Sequence, residues 1–342
     1  MHIRNKRELL ARQLGNLGVW TLLERLARRP CLLVPTYHRI GSPAQNLFYD
    51  PVYSADPELF EAQVRYLKAR FRILSLDELL ELAECGFPFS EPSAFITFDD
   101  GYRDNFDLAL PVLRSIGVPA AFFLPTGFVD HPRLPWWDRI AYVLKQTQQP
   151  RLVLDIPEPI DIDLVSIPCA EATWIVIRSF MADENIEEVT FLAHLENRAE
   201  VSVDSEALAH GLFMTWDQVR TLSAAGMAIG SHTHDHPNLA RLSEPAQSHE
   251  LLESRQILSH QLGRDITGLA YPYGDPGTFT PATQRIAREA GYRLAFTACP
   301  GVNRPGRTDA LAIRRLGIGI TDSLPIFRAR AVCQMAFGRS FF

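Results

Sequence analysis

The chain has 342 residues, of which 46% are hydrophobic and 22% are charged. This size and composition are typical of a globular chain that folds as one barrel-sized domain or as two smaller ones, and no low-complexity tract is present. The formal net charge of −6 excludes the strongly basic class of nucleic-acid-binding proteins, so we expect no nucleic-acid partner.

The cysteines indicate the redox environment. There are five, and they are widely spaced without any CxxC motif: Cys31, Cys85, Cys169, Cys299 and Cys333. An odd number of scattered cysteines favours buried or free thiols over disulfides or a thiolate metal site. We therefore expect a cytoplasmic protein, either free or peripheral to the membrane.

The first 29 residues carry seven Lys or Arg and two acidic residues, with Leu10, Leu14 and Leu17 at helical spacing. This pattern predicts a basic amphipathic helix. It is no signal peptide, because no uninterrupted apolar core or small-residue cleavage site follows the basic start, and no window reaches the ~18 apolar residues of a membrane span. Such a helix either lies on an anionic membrane or packs on its own domain, and both alternatives stay open.

The rest of the chain alternates between apolar runs, which predict strands, and amphipathic patterns, which predict helices. Strands are expected at residues 31–36, 71–74, 94–98, 119–124, 227–231, 266–270, 293–297 and 312–316. Helices are expected at residues 58–69, 76–85, 105–116, 216–225, 245–262 and 281–290. Such βα alternation implies a parallel sheet, and seven or eight units fit a closed barrel.

The periodicity changes after Trp137. Residues 138–211 contain fourteen Asp or Glu and five Lys or Arg, which gives this segment a local charge of −9. We expect an N-terminal helix at 1–29, a barrel built from 30–137 and 212–335, and an acidic insertion of mixed structure at 138–211.

The strand at residues 94–98 ends abruptly in Asp99, Asp100 and Gly101. Adjacent carboxylates at the end of a buried strand repel each other and lose solvation. A sequence that keeps such a pair normally compensates it with a cation or divides the two side chains between different roles. This pair is therefore the first candidate for a functional site.

A second polar cluster follows the strand at 227–231, where the sequence reads SHTHDH. His232 and His236 are four residues apart, so within one helical turn they point the same way and can share a metal, whereas His234 points elsewhere. Two imidazoles and one carboxylate suit zinc, and equally cobalt, nickel or iron. Three protein ligands would leave a coordination position open for water.

Other strand ends carry His38, Thr126, Tyr273 and Thr297. In a parallel βα barrel the loops that follow the strands lie on one face, where barrel enzymes carry their chemistry. The sequence therefore predicts that these side chains, the aspartate pair and the histidines belong to a single site.

The motifs TFDDG, at residues 97–101, and HTxxH, from His232 to His236, resemble the first two motifs of the polysaccharide deacetylases, carbohydrate esterase family 4. The resemblance extends from about residue 32 to residue 316 and includes the YHRI and YPYG segments. It implies an α/β fold with a distorted (β/α)7-type barrel, to which this chain adds the insertion and the N-terminal amphipathic helix. It also implies a divalent metal, with Zn²⁺ preferred and Co²⁺, Ni²⁺ or Fe²⁺ as alternatives.

The resemblance also implies roles for individual residues. By motif match, Asp99 is the catalytic base, and Asp100, His232 and His236 are the metal ligands. The backbone N–H of Tyr273 is the counterpart of the family's oxyanion donor. A carboxylate beside a metal-bound carboxylate suits proton transfer, because the metal holds one of the pair charged and leaves the other free.

Two departures from the family pattern affect the expected chemistry. Many members carry an Arg two residues before the Pro of the third motif, where this chain has Ala270. The late Leu-His-Asp motif, which supplies the family's general acid, has no match, since no histidine follows His260. His38 is our candidate for the acid, and a structural histidine is the equal alternative.

Three residues are candidates for substrate binding: Trp136, Trp137 and Pro272. The two indoles either stack on sugar rings or pack in the protein interior, and Pro272 either contacts substrate or shapes a turn. Glu250 and Ser254 on the helix at 245–262, and the pair Arg314 and Arg315, either reach the site or lie solvated on the surface. The sequence does not decide among these alternatives.

The expected function is metal-dependent removal of N-acetyl groups from an N-acetylhexosamine-containing polysaccharide, oligosaccharide or lipid-linked glycan, with exopolysaccharide biosynthesis as one setting. The first alternative is a metal-dependent amidohydrolase that acts on a non-sugar amide, because a fold does not fix a function. The second is a glycan-binding protein with a degenerate catalytic site, which the two departures from the family pattern would explain.

Overall fold

The computed structural model describes residues 2–44, 46–183 and 186–338. Within these ranges the strands are short and numerous. They are β1 Cys31–Leu33, β2 Pro35–Tyr37, β3 Arg39–Ile40, β4 Tyr53–Ala55, β5 Arg72–Ile73, β6 Pro92–Ala94, β7 Thr97–Phe98, β8 Ala121–Leu124, β9 Arg151–Leu154, β10 Ile160–Asp163, β11 Ala228–Ser231, β12 Gly268–Ala270, β13 Leu294–Pro300 and β14 Ile313–Gly317.

Helices alternate with these strands, and several are capped by short polar side chains, as at Asp56, Ser75 and Thr215. They are α1 His2–Asn16, α2 Val19–Leu26, α3 Pro57–Arg70, α4 Leu76–Glu84, α5 Leu110–Ile116, α6 Thr126–Asp130, α7 Trp136–Gln146, α8 Cys169–Ala182, α9 Glu188–Ala199, α10 Ser205–Ala209, α11 Trp216–Ala224, α12 Glu244–Leu262, α13 Pro281–Glu289 and α14 Leu324–Phe337. A π-helical turn, Asn105–Ala109, precedes α5.

Seven strands close into a parallel barrel in the order β2, β7, β8, β11, β12, β13 and β14, with β14 pairing back to β2. Tyr37 lies opposite Phe98, and Phe98 lies opposite Phe122. The expected seven-stranded α/β barrel is confirmed. Because all the strands run in the same direction, their carboxyl ends share one rim, which we call the barrel mouth.

Two of the expected strands are each broken into two. The run at 31–36 divides into β1 and β2, and the run at 94–98 belongs to β6 and β7. β1, β6 and β5 form a separate three-stranded sheet, while β2 and β7 lie in the barrel. The residues between the halves remain apolar and buried, so hydrophobicity alone shows one continuous strand where the chain passes from one sheet to another.

Aromatic side chains fill the lower part of the barrel. Phe296 packs on Phe95 with ring centroids 5.4 Å apart and on Phe123 at 5.1 Å. The ring of Phe123 needs a glycine beside it, because a Cβ at Gly230 would lie 2.5 Å from two of its ring carbons. This packed interior supports the strands whose ends carry the polar groups described below.

The N-terminal segment is helical, as expected, and consists of two helices. α1 ends at Asn16, and Gly18 adopts a left-handed φ of 74° before α2 begins. The indole Nε1 of Trp20 donates to the carbonyl oxygen of Ala11 at 2.8 Å and fixes α2 against α1. Both helices contact α14, which the sequence patterns did not predict. No helix in the described ranges combines the length and apolarity needed to cross a membrane.

The chain divides into two compact units. The first contains the barrel and comprises residues 1–41, 53–130 and 213–342, while the second comprises residues 42–52 and 131–212. The expected insertion, 138–211, falls within the second unit, which also takes in 131–137 and the earlier segment 42–52. Lys145 joins the two segments of this unit, since its Nζ donates to the carbonyl oxygens of Asn46 and Phe48. The amino-acid composition of a short segment does not reveal such contacts between residues far apart in the chain.

Candidate active site

The aspartate pair lies at the barrel mouth, directly after β7. The backbone N–H of Asp99 donates to the carbonyl oxygen of Tyr37 at 3.0 Å and so continues the barrel pairing. Asp100 and Gly101 then both adopt a left-handed φ of 71°, which turns the chain sharply away from the strand. Both carboxylates are almost fully buried. Neighbouring side chains of a regular strand face opposite sides, and the turn likewise keeps the side chains of Asp99 and Asp100 apart.

The two histidines converge on Asp100 from the loop after β11. Oδ1 of Asp100 lies 3.4 Å from Nε2 of His232 and 3.5 Å from Nε2 of His236. All three side chains are buried, and ligand atoms from each lie within 4.8 Å of one another. The structure therefore brings together the three residues that the motif match named as metal ligands.

This arrangement fits a divalent metal ion. Two ligand atoms about 2.1 Å from one ion, at tetrahedral angles, lie roughly 3.4 Å apart, which matches the distances from Asp100 to the two imidazoles. His232 is also oriented for this role, because its Nδ1 lies 2.7 Å from the carbonyl oxygen of Ala270. A carbonyl only accepts, so Nδ1 carries a proton, and Nε2 is the nitrogen that faces Asp100 and can bind a metal after it loses its own proton.

The histidine loop is held by polar contacts from its own backbone and from α12. Oε2 of Glu250 accepts the backbone N–H groups of His234 and Asp235, both at 2.9 Å. Oγ of Ser254 lies 2.8 Å from Oγ of Ser231 at the start of the loop. Glu250 and Ser254 thus reach the loop that carries the ligands. Their role is positioning, because they contact the loop and not the ligand atoms.

Two further contacts inside the loop fix its unusual course. Thr233 and His236 both adopt left-handed conformations, with φ values of 68° and 58°. Oγ1 of Thr233 accepts the backbone N–H of His236 at 3.0 Å, and Gly127 donates to the carbonyl oxygen of His234 at 2.8 Å. Non-glycine residues in this region cost of order 1–3 kcal/mol each, and such residues cluster at functional sites.

Charges at the barrel mouth influence one another strongly. Burial opposes ionisation of Asp100, but its hydrogen bond with His232 and the nearby histidines reverse this and hold the pKa of Asp100 well below its usual range. Burial lowers the pKa of His236 to about 3, and the neighbouring His232 adds to this. Burial also disfavours charge on His232, yet Asp99 and Asp100 together raise its pKa. The carboxylates thus favour a positive charge where the ligand atoms converge.

Asp99 faces a different partner, Arg315 of β14. The guanidinium forms a two-point ion pair with the carboxylate, with NH1 2.9 Å from Oδ1 and NH2 2.7 Å from Oδ2. Nε of the same side chain donates to the carbonyl oxygen of Thr297 at 2.7 Å, which fixes the guanidinium plane. Burial raises the pKa of Asp99, but Arg315 and then His232 outweigh it, so the pKa is lowered and Asp99 stays ionised.

His38 follows β2 at the same mouth. Its backbone N–H donates to Oγ of Ser54 at 2.9 Å, and its carbonyl oxygen accepts from Nδ2 of Asn105 at 2.6 Å. Burial raises the pKa of Asp99, and His38 is among the groups that lower it, after Arg315 and His232. The imidazole therefore lies within electrostatic reach of the aspartate pair. Its role as general acid stays a prediction.

The turn after β12 carries Pro272 and Tyr273. Tyr273 has a left-handed φ of 61°, and its ring packs edge-on against His236 with centroids 5.1 Å apart. Pro272 is buried, and its carbonyl oxygen accepts the backbone N–H of Gly274 at 2.6 Å. The structure thus brings Tyr273 to the ligand cluster. The oxyanion role of Tyr273 and the substrate role of Pro272 stay predictions.

Trp136 and Trp137 belong to the second unit, at the start of α7. Both are buried, and their ring centroids lie 5.4 Å apart in an edge-to-face arrangement. Trp136 also packs against Phe180 of α8, with centroids 4.9 Å apart. These contacts are those of interior aromatic residues, and the stacking of either indole on sugar stays a prediction.

Comparison with known proteins identifies the family. The model of the polysaccharide deacetylase family matches residues 88–151 and 169–295, which together make up more than half of the chain. The matched ranges include Asp99, Asp100 and both candidate histidine ligands. This chain belongs to the polysaccharide deacetylase family.

Individual relatives are distant. The Bacillus subtilis protein YxkH is 22% identical over 286 residues, which cover 83% of this chain and 69% of YxkH. The poly-β-1,6-N-acetyl-D-glucosamine N-deacetylase of Staphylococcus epidermidis is 36% identical over 78 residues, only 22% of this chain and 27% of that enzyme. Among solved structures, the Streptococcus pyogenes deacetylase PplD in complex with acetate has a TM-score of 0.58 at 18% identity, covering 90% of this chain and 99% of PplD.

Within this family of deacetylases, Arg315 accounts for one of the two departures noted in the sequence. The position at which many members carry the Arg that orients the base is Ala270, and its carbonyl oxygen orients His232. Arg315 pairs with Asp99 from another strand of the barrel. The sequence held a signal for this, because neighbouring residues of a strand face opposite sides and one of Arg314 and Arg315 had to face inwards.

Proposed function

We propose that this polysaccharide deacetylase is a metal-dependent hydrolase that removes N-acetyl groups from an N-acetylhexosamine-containing polysaccharide, oligosaccharide or lipid-linked glycan. The observation that carries the proposal is the division of the aspartate pair. Asp100 faces the two histidines, and Asp99 faces Arg315. One carboxylate is thus available to a metal while its neighbour remains a charged, oriented proton acceptor.

The candidate cofactor is a single divalent ion, with Zn²⁺ preferred, held by Asp100, His232 and His236. When bound, such an ion supplies Lewis acidity, which polarises an amide carbonyl and makes a water molecule acidic enough to react near neutral pH. Donor types alone do not separate Zn²⁺ from Co²⁺, Ni²⁺ or Fe²⁺. Zn²⁺ is preferred because the distances around Asp100 suit tetrahedral ligands.

The protein's own groups then divide the work of amide hydrolysis. Asp99 takes a proton from the attacking water, and Arg315 keeps its carboxylate charged and in one orientation. The backbone N–H of Tyr273 donates to the oxygen that becomes negative when water adds to the acetyl carbon. His38 returns a proton to the sugar nitrogen as the carbon–nitrogen bond breaks, so that acetate and a free amine leave.

The substrate class is supported by the family and by the named activity of the Staphylococcus epidermidis relative, which deacetylates poly-β-1,6-N-acetyl-D-glucosamine. We place this chain in exopolysaccharide biosynthesis on the same basis. This chain also contains the second unit, residues 42–52 and 131–212, in addition to the barrel unit.

We also propose that the protein acts in the cytoplasm. No disulfide joins the five cysteines, all of which lie in the described ranges, and Cys85 and Cys169 are exposed, which suits a reducing compartment. Fractionation of expressing cells, with antibody detection, should find the chain in the cytoplasm or on the inner surface of the membrane. Detection of a secreted form would contradict the assignment.

The activity is tested with metal-depleted protein to which Zn²⁺ is restored. β-1,6-linked and β-1,4-linked N-acetylglucosamine oligosaccharides are incubated with the protein, and acetate and free amine are measured in parallel. Equal amounts of both products, formed only with the ion present, are expected. A panel of formyl and cyclic non-sugar amides serves as the comparison. Hydrolysis confined to that panel would replace the glycan with a non-sugar substrate, and saturable oligosaccharide binding without acetate release would indicate a binding protein.

A further inference from the structure

Five leucines of α1, α2 and the turn between them are exposed. They are Leu9, Leu10, Leu17, Leu22 and Leu26. Leu17 is 77% exposed and Leu26 is 68% exposed, although both helices are packed on the barrel unit. The buried side of this pair is formed instead by Ala11 and Trp20. Packing on the chain's own domain therefore accounts for the buried face of the helices and leaves these five leucines as exposed apolar surface.

The exposed face has a fixed orientation. Glu24 and Thr21 of α2 bind the same residue, Arg328 of α14, with Nε 2.7 Å from Oε1 of Glu24 and NH2 2.9 Å from Oγ1 of Thr21. Together with the Trp20 bond to α1, these contacts hold both helices against α14. The five leucines are therefore exposed in the folded protein, and the two helices need not rearrange to present them.

The same two helices and the residues that follow them are basic. Their exposed cations are Lys6, Arg7, Arg12, Arg25, Arg28 and Arg29. Their two acidic residues are already paired, Glu8 with Arg12 at 2.5 Å and Glu24 with Arg328. The charge that remains for a partner is therefore positive.

A cavity of about 240 Å³ opens beside α2. Arg25, Arg28 and Arg70 line it together with Glu24, whose carboxylate is already paired with Arg328. Arg70 lies 3.5 Å from Glu24. Arg25 and Arg28 have no acidic partner in the part of the chain that the structure describes. Three guanidinium groups around one concavity suit a phosphate group, which accepts hydrogen bonds from several donors at once.

We propose that the N-terminal helices dock the protein on a membrane that contains anionic phospholipid, with the exposed leucines in the headgroup region and a lipid phosphate bound between Arg25, Arg28 and Arg70. Charge complementarity selects this occupant. Leucines next to arginines on the same helix surface are the arrangement of helices that lie in the membrane interface, where apolar burial and attraction to anionic lipid add together. A groove on an uncharged protein could bind the leucines, but it would offer no negative charge to the arginines.

The test is co-sedimentation of the complete protein with vesicles. One set contains phosphatidylcholine alone, and the other contains phosphatidylcholine mixed with phosphatidylglycerol. We expect binding to the mixed vesicles to be at least about tenfold tighter. Arg25→Gln with Arg28→Gln should weaken it about 25-fold, since each arginine near an anionic surface contributes a factor of roughly five. Leu22→Gln with Leu26→Gln should weaken it about tenfold or more through the loss of apolar burial.

Two matched variants show whether these losses are specific. Arg264→Gln with Arg307→Gln removes two exposed arginines elsewhere, and Leu252→Gln removes a partly exposed leucine of α12. Both should bind vesicles like the unchanged protein. Equal binding of all variants, or absence of binding to the mixed vesicles, would overturn the proposal. Sedimentation velocity provides a second check, because a dimer that dissociates with Leu22→Gln and Leu26→Gln would assign the surface to a second copy of the chain.

Discussion

In the barrel mouth, Asp99, Asp100 and His232 are buried and each has a fixed polar partner, whereas on the N-terminal helices Arg25 and Arg28 are exposed and have no acidic partner among the described residues. Both regions are dense in charge, and both belong to the barrel unit. They differ in how much a single side chain contributes. Removing one member of a buried ion pair costs about 3–5 kcal/mol, because the other charge is left without a partner, while an exposed charge contributes about 1 kcal/mol or less.

The difference indicates how substitutions should act in each region. In the mouth the geometry of every charge matters, so each residue has a separate role. On the helices the exposed charges contribute additively, so the loss of one charge removes only a part of the total effect. Substitutions should therefore have sharp effects in the mouth and graded effects on the helices.

The largest effect is expected from the ligand cluster. His232→Ala combined with His236→Ala should abolish both metal binding and turnover, because Asp100 alone would remain of the three ligands. Metal content is measured by elemental analysis after dialysis, and acetate release is measured on the same sample. His234→Ala is the matched control and should retain the metal. Stoichiometric metal in the double variant would show that the ion lies elsewhere.

Next in size is the change Asp99→Asn. It should lower kcat by ~10²–10⁴-fold, in line with the contribution of a general base, and leave the bound metal and the KM little changed. Asp100→Asn should lose metal instead. Parallel metal analysis and steady-state kinetics separate the two outcomes. Loss of metal from both variants would mean that the roles of the pair are divided wrongly.

Arg315→Met tests the partner of the base. We expect kcat to fall about 10–100-fold and the free energy of unfolding to fall by about 3–5 kcal/mol, because Asp99 would be buried without its cation. Urea denaturation measures the stability. Arg314→Met, one residue away on the exposed face of β14, should change neither quantity appreciably.

A double variant separates pairing from simple packing. If the ion pair is the cause, Asp99→Asn with Arg315→Met should be more stable than the sum of the two single losses predicts. Strictly additive losses would indicate that each side chain stabilises the barrel independently.

A smaller effect is expected at the support of the histidine loop. Glu250→Ala removes the acceptor of two backbone N–H groups and should weaken metal binding about 10–100-fold, with the fold retained. Glu250→Gln should bind nearly normally, since its amide oxygen can accept the same bonds. Glu253→Ala, an exposed position of the same helix, is the control. Metal titration by calorimetry distinguishes these variants, and equal affinities in all three would exclude the positioning role.

The smallest effects on the enzyme itself are expected on the N-terminal surface. Arg25→Gln with Arg28→Gln should change the free energy of unfolding by no more than about 0.5 kcal/mol and leave turnover of a soluble oligosaccharide unchanged. Thermal denaturation and acetate release check this. A large loss of stability would place these arginines among the structural charges and remove the contrast between the two regions.

Much of this could be predicted because it is local. A strand that ends in two aspartates, and a loop with histidines four residues apart, are visible in a few consecutive letters, and the barrel rule then places them together. The features that the sequence did not predict depend on contacts between residues far apart in the chain. Whether an apolar run continues in one sheet depends on the neighbouring strands, which is why the sequence predicts a single strand at 31–36 and another at 94–98.

The sequence did not predict the role of Arg315 for the same reason. It lies more than two hundred positions along the chain from Asp99, and only barrel closure through β14 brings the two together. Glu250 and Ser254 were recognised as candidates, but only the structure shows that they hold backbone groups of the histidine loop. The N-terminal leucines had the periodicity of a packed helix, and their exposure becomes visible only once Trp20 is seen to occupy the inner face.

The position of Arg315 late in the chain has a consequence for biosynthesis. Asp99 and all three candidate ligands leave the ribosome before β12, whereas Arg315 is carried by β14, the strand that pairs with β2 and completes the ring. A chain that stops before β14 therefore contains Asp99 and the three candidate ligands but lacks the cation that orients the base. Because the ring cannot close without β14, such a truncated chain is expected to have no hydrolytic activity.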